Sequence, residues 1–441
     1  MFSGLLKRAL KDSNFYFISQ LGVKLIGVLI MPYLARHTTP AAIGSYDLVL
    51  VFVGLISTII GLGFDSGMSI FVAKFKNDEA ILRSLFSFSL WASLVIIIAF
   101  FALFLSFQTL QILASFVPGG QLLYIAFLYL LVTHLNYTIF NFLRWRGLAG
   151  KASLSGFLTS AFGLIGGVLF FVLSNNDINQ YLLGLVVGSS FGVPYSLFLI
   201  KSYLSIEIPK KHRAYCKELL LVSLPFVPNY LTNSLMLIVE KFLVNWLLGL
   251  GAVGHYAILS RFAQLPNFAM NIVAKGFQPV MFLNYESTDG IKLNKLVYHS
   301  FLVFLPMSVG IVGFFSGEIL HAFGGEQYVL FANMLPAVIA STLIYGGMGI
   351  NGMGFTIRKR TFYIMFISGF TILLNLTLSY FSIITFKFNG LAISAPTVAA
   401  IGAFVYTWKS EQLHRFGFSL FGTFLSYVLA VLISFYFSFF N

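Results

Sequence analysis

The sequence predicts an all-α integral membrane protein of about thirteen transmembrane helices, within a range of 12–14, arranged as two six-helix lobes. Three observations predict it. Hydrophobic residues make up 58% of the 441 residues and charged residues only 9%, against roughly a quarter charged in a soluble domain. The apolar residues fall in runs near the length of about 20 that crosses the hydrocarbon core. The Lys and Arg residues gather in alternate loops.

The spans read, in order, 14–35, 41–73, 84–107, 121–143, 152–174, 180–202, 218–248, 252–283, 295–316, 329–356, 361–384, 389–409 and 416–440. Met1–Asp12 carries Lys7, Arg8 and Lys11 but no small-residue cleavage site, so the first apolar run is expected to stay as an anchor. The second and eighth spans exceed the bilayer thickness and are expected to project beyond it. Proline inside several spans (Pro32, Pro225, Pro228, Pro266, Pro279, Pro306, Pro336) is compatible with buried membrane helices.

Loop charge supplies an independent check. Lys74, Lys76 and Arg83 follow the second span, Arg144, Arg146 and Lys151 the fourth, and Lys201, Lys210, Lys211, Arg213 and Lys217 the sixth. Lys292 and Lys295 follow the eighth, Arg358, Lys359 and Arg360 the tenth, Lys409 and Arg415 the twelfth. The intervening loops hold only Arg36 and Lys387. The amino terminus is therefore expected in the cytosol. The same distribution explains the net charge of +13 without nucleic acid.

An internal repeat divides the chain. Pro40-Ala-Ala-Ile-Gly-Ser-Tyr46 resembles Leu250-Gly-Ala-Val-Gly-His-Tyr256, with Ala42, Gly44 and Tyr46 matching Ala252, Gly254 and Tyr256 at an offset of 210 (254 − 44). Six helices separate the copies, an even number, so the lobes run parallel; repeats of this kind occur in transporters. The expected division is a lobe over 1–205 (helices 1–6), a basic cytoplasmic linker over 206–217, a lobe over 218–410 (helices 7–12) and an extra helix over 411–441.

No soluble-enzyme motif, metal-ligand spacing or cofactor signature occurs. The single cysteine, Cys216, has no partner for an internal disulfide. Gly61-Leu-Gly63 reads as close helix packing. The informative residues are ionisable or polar groups inside spans, where a charge costs about 2.5–3.5 kcal/mol on the insertion scale. Lys24 lies mid-span, Asn233 and Glu240 share a helical face, and Lys241 follows. In the eighth span Ser260, Gln264, Asn267, Asn271, Lys275 and Gln278 form a stripe with Arg261 beside it. The stripe would face a hydrated cavity; the alternative is polar contact between buried helices. Asp65 is repeat-related to Lys275 (275 − 210), which suggests an inner gate between them. The in-span cations Lys24, Lys241, Arg261 and Lys275 outnumber Asp47, Asp65 and Glu240, which suits an anionic substrate such as a diphosphate.

The run Gly22-Val-Lys-Leu-Ile-Gly27, Pro32-Tyr-Leu-Ala-Arg36, Gly44-Ser-Tyr46 and Gly61-Leu-Gly-Phe-Asp65 resembles the opening of the polysaccharide-biosynthesis flippases, the O-antigen translocases of the multidrug/oligosaccharidyl-lipid/polysaccharide exporter superfamily. Glu240-Lys241, Gly254-His-Tyr256, Leu374-Asn-Leu-Thr-Leu378 and Asn389-Gly-Leu-Ala-Ile393 extend the resemblance. It implies a bacterial inner-membrane flippase for an undecaprenyl-diphosphate-linked oligosaccharide. Two V-shaped lobes would work by alternating access, without a cofactor, coupled to a proton or sodium gradient through Asp65 or Glu240. A polysaccharide polymerase and a chain-length regulator are the implied partners. The candidate cavity residues are Lys24, Arg36, Asn233, Lys241, Arg261, Gln264, Asn267, Asn271 and Lys275. Thirteen spans depart from the family's usual twelve or fourteen. The competing readings are a multidrug exporter or a peptidoglycan-precursor flippase of the same superfamily. From another class comes a membrane glycosyltransferase or polymerase, against which the short outer loops count.

Overall fold

The computed structural model describes residues 30–105, 120–283, 287–358 and 362–440, with residues 22, 26, 27 and 360 besides. Every regular element among them is helical. The long helices are α1 (Pro40–Ile60), α2 (Phe64–Lys74), α3 (Glu79–Leu105), α4 (Gly120–Trp145), α5 (Ala149–Leu173), α6 (Ile178–Ile200), α7 (Arg213–Ser223), α8 (Val227–Leu248), α9 (Leu250–Leu283), α10 (Thr288–Phe314), α11 (Ser316–Gly324), α12 (Leu335–Asn351), α13 (Phe362–Phe386), α14 (Gly390–Leu413) and α15 (Leu420–Phe439). Nine helical stretches among the described residues are long and apolar enough to cross a membrane. One of them, Phe362–Leu413, contains both α13 and α14. Helices thus stand over sequence spans two to thirteen, while the first, 14–35, lies largely outside the described residues.

Three spans differ from the sequence reading. Span 41–73 is two helices, because Leu62 (φ 45°) and Gly63 (φ 71°) turn the chain through the left-handed region. Span 218–248 starts earlier, at Arg213, and tightens to a 3₁₀ turn at Leu224–Phe226, around Pro225, before α8 begins. Span 329–356 begins as short turns, with α12 starting at Leu335 and Pro336 in its first turn, where a missing amide costs nothing. Span 252–283 is one helix, α9, of 34 residues. At 1.5 Å per residue it is about 51 Å long, well beyond a hydrocarbon core of about 30 Å.

The chain forms two compact units, one of residues 1–30 and 45–234, the other of 31–44 and 235–441. In the first, Phe71, Phe86, Phe142 and Leu219 anchor an apolar core joining α2, α3, α4 and α7. Helices α5 and α6 meet at backbone distance through a row of small residues. A Cβ on Gly184 would lie 2.2 Å from the Gly166 carbonyl oxygen, one on Gly188 2.0 Å from that of Phe162, and one on Gly192 2.4 Å from the Thr159 hydroxyl. The spacing of four keeps the glycines on one face, the small-xxx-small packing of membrane helices. Cys216 on α7 is buried against the Ser84 carbonyl. Burial pushes its thiol up to about 11.

In the second unit Asn351 donates to the Thr407 and Tyr427 hydroxyls, linking α12, α14 and α15. The carboxyl-terminal helix α15 is held along its length. Thr423 bonds Tyr298, Ser426 donates to the Leu302 carbonyl at 2.6 Å, and Ser438 to that of Asn333 at 2.8 Å. Glu411 accepts the amides of Phe416, Gly417 and Phe418 in the turn before it.

The two copies of the sequence repeat touch each other inside this unit. A Cβ on Gly44 would lie 2.2 Å from the Leu250 carbonyl oxygen, and one on Gly254 1.8 Å from that of Pro40. Leu250 is the repeat equivalent of Pro40 (250 − 210), so the contact is reciprocal.

Gly254→Ala is therefore expected to destabilise the purified protein by about 1–3 kcal/mol, the range for overpacking. Its unfolding temperature in detergent should fall. Gly251→Ala, where a Cβ meets nothing within 4 Å, should leave it unchanged; equal shifts would remove the close approach as the cause. For Cys216, only roughly one thiol in ten thousand is ionised at pH 7. Maleimide labelling should be slow in the folded protein and fast after denaturation.

Candidate transport site

The first unit carries a polar pocket of about 280 Å³ lined by Ser57, Thr58, Gly61, Gly63, Asp65, Tyr137, Tyr230 and Ser234. The break between α1 and α2 creates it, because the turn at residues 61–63 places Asp65 in the first turn of a new helix rather than midway along an old one. There its carboxylate faces α4. Arg144 Nη2 donates to both its oxygens, at 3.1 and 3.3 Å, Trp145 Nε1 donates at 2.8 Å and Tyr137 Oη at 3.4 Å. The Arg144 guanidinium also lies 4.4 Å from the centre of the Trp145 ring. Asp65 is 18% and Arg144 35% exposed, so the pair is sheltered but wet.

Hydroxyl pairs complete the wall. Thr58 and Ser234 are 3.0 Å apart, and Ser66 bonds Tyr230. Ser57 lies 3.3 Å from His134 Nδ1. His134 is buried, and its Nε2 has no protein partner. It lines a small adjoining void of about 30 Å³ shared with Asp65, Tyr137 and Asn141. That is space for a single water.

In the second unit Glu240 is buried on α8. Tyr256 Oη donates to one carboxylate oxygen and Asn375 Nδ2 to the other at 2.8 Å. Ser379 donates to Asn375 Oδ1 at 2.8 Å, which fixes the amide orientation. Three helices, α8, α9 and α13, thus converge on one carboxyl group. A carboxyl held by neutral donors is chemically suited to exchanging a proton or a small cation.

The remaining sequence candidates are dispersed. Arg36 donates to the carbonyls of Ala322 at 2.7 Å and His321 at 3.4 Å, at the carboxyl end of α11, where a cation also meets the helix dipole. Lys241 and Arg261 are half-buried and engaged with neighbours. Of the α9 stripe, Gln264 is exposed and accepts from Asn267 at 3.5 Å. Asn267 fits because Gly346 opposite has no side chain: a Cβ there would lie 2.0 Å from Asn267 Oδ1. The side chains of Asn233, Asn271 and Lys275, and all of Lys24, lie outside the described residues. The sequence reading looked to Lys275 as the partner of Asp65; the structure gives Asp65 a cation of its own unit, Arg144.

Sequence reasoning gave no site role to Tyr137, Trp145, Tyr230, His134 or Arg144. Tyr137, Asn141 and Arg144 are spaced 4 and 3, the same helical pattern as the α9 stripe. The same test on the fourth span would have found them.

A family model described as polysaccharide biosynthesis protein matches residues 9–283. No curated protein matches the sequence. Solved structures do resemble the fold. A multidrug resistance MATE family transporter of the MOP superfamily, inward-facing, superposes with a TM-score of 0.65 at 16% identity over 92% of this chain and 97% of its own. Lipid II flippase MurJ, inward closed, gives 0.67 at 16% identity over 96% and 97%. The MATE multidrug transporter DinF-BH gives 0.67 at 17% identity over 96% of each chain. The fold is that of MOP-superfamily transporters.

Arg144→Ala should destabilise the protein by about 1–3 kcal/mol, less than the roughly 3–5 for a fully buried pair because both groups reach solvent. The charge swap Asp65→Arg with Arg144→Asp should recover part of that loss. Thermal unfolding of the two singles and the double reads this directly; a double as unstable as the sum of the singles would mean the groups act independently.

Proposed function

The chain belongs to the polysaccharide biosynthesis protein family, and on that premise we propose that it is a flippase for an undecaprenyl-diphosphate-linked oligosaccharide repeat unit of O-antigen or a similar surface polysaccharide. It would work in the bacterial inner membrane with its amino terminus in the cytosol. The observation that carries this reading is the family match over 275 residues (283 − 9 + 1) of the 441. Two features of the chain support it. In-span cations exceed in-span anions, which suits a diphosphate. The first unit holds a pocket of hydroxyls and aromatic rings around a fixed carboxylate, the side-chain types that hydrogen-bond to and stack on sugars.

In this mechanism the sugar and diphosphate travel through the protein while the lipid tail stays in the bilayer, and two parallel lobes alternate between inward-open and outward-open states. A ligand drives that exchange only by its different affinity for the two states. Glu240 is a natural coupling group: it sits where three helices meet, so protonation or cation binding would be felt by all three. Asp65, already paired with Arg144, fits a gate or positioning role. A multidrug exporter for cationic compounds would favour an anionic interior, contrary to the in-span balance. The likeness to lipid II flippase and multidrug transporters is one of fold and does not choose among substrates.

A deletion strain should lose surface polysaccharide and accumulate lipid-linked repeat units. Normal surface polysaccharide without a substituting flippase would overturn the assignment. Lys24→Ala and Lys275→Ala should each lower export by roughly tenfold, the factor that goes with about 1.4 kcal/mol, at unchanged membrane abundance. Glu240→Gln should abolish coupling, measured as loss of the dependence of export on the ion gradient.

A further inference from the structure

A large cleft in the first unit shares no lining residue with the pocket around Asp65. It is a cleft of about 1560 Å³ between the first two turns of α3 and the segment 202–220. Nothing in the proposed transport function requires it.

The cleft is a built structure. Three α3 side chains along one face hold the backbone that leads into the linker: Arg83 donates to the Leu204 carbonyl at 2.9 and 3.2 Å, Ser87 to that of Tyr203 at 2.8 Å, and Trp91 Nε1 to that of Ser205 at 2.9 Å. Ser84 bonds the buried His212 at 2.7 Å. In return the Ser205 amide donates to Ser87 Oγ at 2.9 Å. Positions 83, 84, 87 and 91 follow helical spacing, so one face of α3 is committed to fixing a loop.

What the fixed loop presents is amphipathic. Arg83, Lys210, Arg213 and Lys217 line the cleft against two carboxylates, Glu79 and Glu207. Glu79 is already paired with Arg146. Lys210, Arg213 and Lys217 take part in no ion pair among the described residues. Arg213 and Lys217 are one helical turn apart on α7, on the same side. Next to these cations stand largely exposed apolar side chains: Ile206, in the cleft wall, is 88% exposed, and Leu221, one turn beyond Lys217 on α7 and outside the cleft lining, 59%.

The geometry points to a binding site for an anionic phospholipid. Its phosphate would sit among Lys210, Arg213 and Lys217, and its acyl chains against Ile206 and Leu221. Charge complementarity selects a phosphate-bearing ligand, and uncovered aliphatic side chains beside the cations select one with a hydrocarbon part over a free anion. The chemistry is that of a lipid of the surrounding bilayer. Because the linker joins the expected lobes, occupancy would stiffen it.

The test uses the full-length protein, purified in a neutral detergent and stripped of lipid. Phosphatidylglycerol, phosphatidylcholine and inorganic phosphate are added separately. Native mass spectrometry counts retained lipid and thermal unfolding reads stabilisation. Phosphatidylglycerol should be retained and should raise the unfolding temperature, whereas phosphatidylcholine should do neither. The triple variant Lys210→Gln, Arg213→Gln, Lys217→Gln replaces surface side chains and should keep the basal unfolding temperature while losing the lipid effect. A control with equal charge loss elsewhere, Lys76→Gln, Lys292→Gln, Arg415→Gln, should retain it. An effect of phosphatidylglycerol that survives in the triple variant, or is lost equally in the control, overturns the site. Stabilisation by inorganic phosphate equal to that by phosphatidylglycerol overturns the lipid and leaves a soluble-anion site. None of these readouts involves transport, so they stand or fall separately from the flippase reading.

Discussion

In hydrocarbon a helix gains nothing by burying leucine against leucine, because the lipid it leaves is equally apolar. Van der Waals packing of an apolar core then needs help, and two devices supply it here: backbone-to-backbone approach at glycines, and hydrogen bonds between side chains that have no water to turn to. The α5–α6 row at Gly184, Gly188 and Gly192 is the first device in its plainest form. The Asn351 bonds to Thr407 and Tyr427, and the ladder from α15 to Tyr298, Leu302 and Asn333, are the second. Large apolar side chains such as Phe191, Phe421 and Leu173, by contrast, point outward. A soluble fold would cover such side chains, whereas a bilayer solvates them.

The same constraint decides which polar groups are free to work. A serine that donates to the carbonyl four residues back, as Ser84, Ser190 and Ser260 do, is satisfied locally and gives up little by facing lipid or a neighbour. Asp65 and Glu240 have no such local solution. Each recruits donors from other helices: α4 for the first, α9 and α13 for the second. The cost of placing a charge in a membrane is thereby turned into a convergence of helices on one carboxyl group. A change of charge at that group alters the balance among several helices together, which is the physical requirement for a coupling residue.

How much of this was legible in the sequence follows from the range of each signal. Helix positions were, because hydropathy is summed over some twenty residues and small errors cancel. Breaks inside apolar runs were not. Gly61-Leu-Gly63 reads as close packing in the sequence, and only the positive φ of Leu62 and Gly63 shows that it is a turn. Pro225 was visible but is compatible with either a kink or a new start. Among site residues, Glu240 was legible as a charge in a span, while its partner Asn375 is 135 residues away and leaves no periodic trace. The Asp65–Arg144 pair was missed for a different reason. Arg144 obeys the loop-charge rule, which satisfied one explanation and concealed the other. Arg36 stood in the Pro32–Arg36 motif, and the carbonyls it caps, on a helix 285 residues on, leave no local trace beside it.

The repeat is the exception, a long-range feature that the sequence did display, and the contact at Gly44 and Gly254 suggests why. Gly44 and Gly254 meet each other's segments. One lies on the carbonyl of Leu250, the other on the carbonyl of Pro40, and those two carbonyls are themselves repeat-related. In a reciprocal contact a side chain added to either glycine opens the same seam, and the remaining glycine then has no partner surface to fit. Both positions are therefore bound by one steric condition, that the backbones come closer than a Cβ allows. A short match at an offset of 210 is what such a condition leaves behind in a chain whose halves have otherwise diverged.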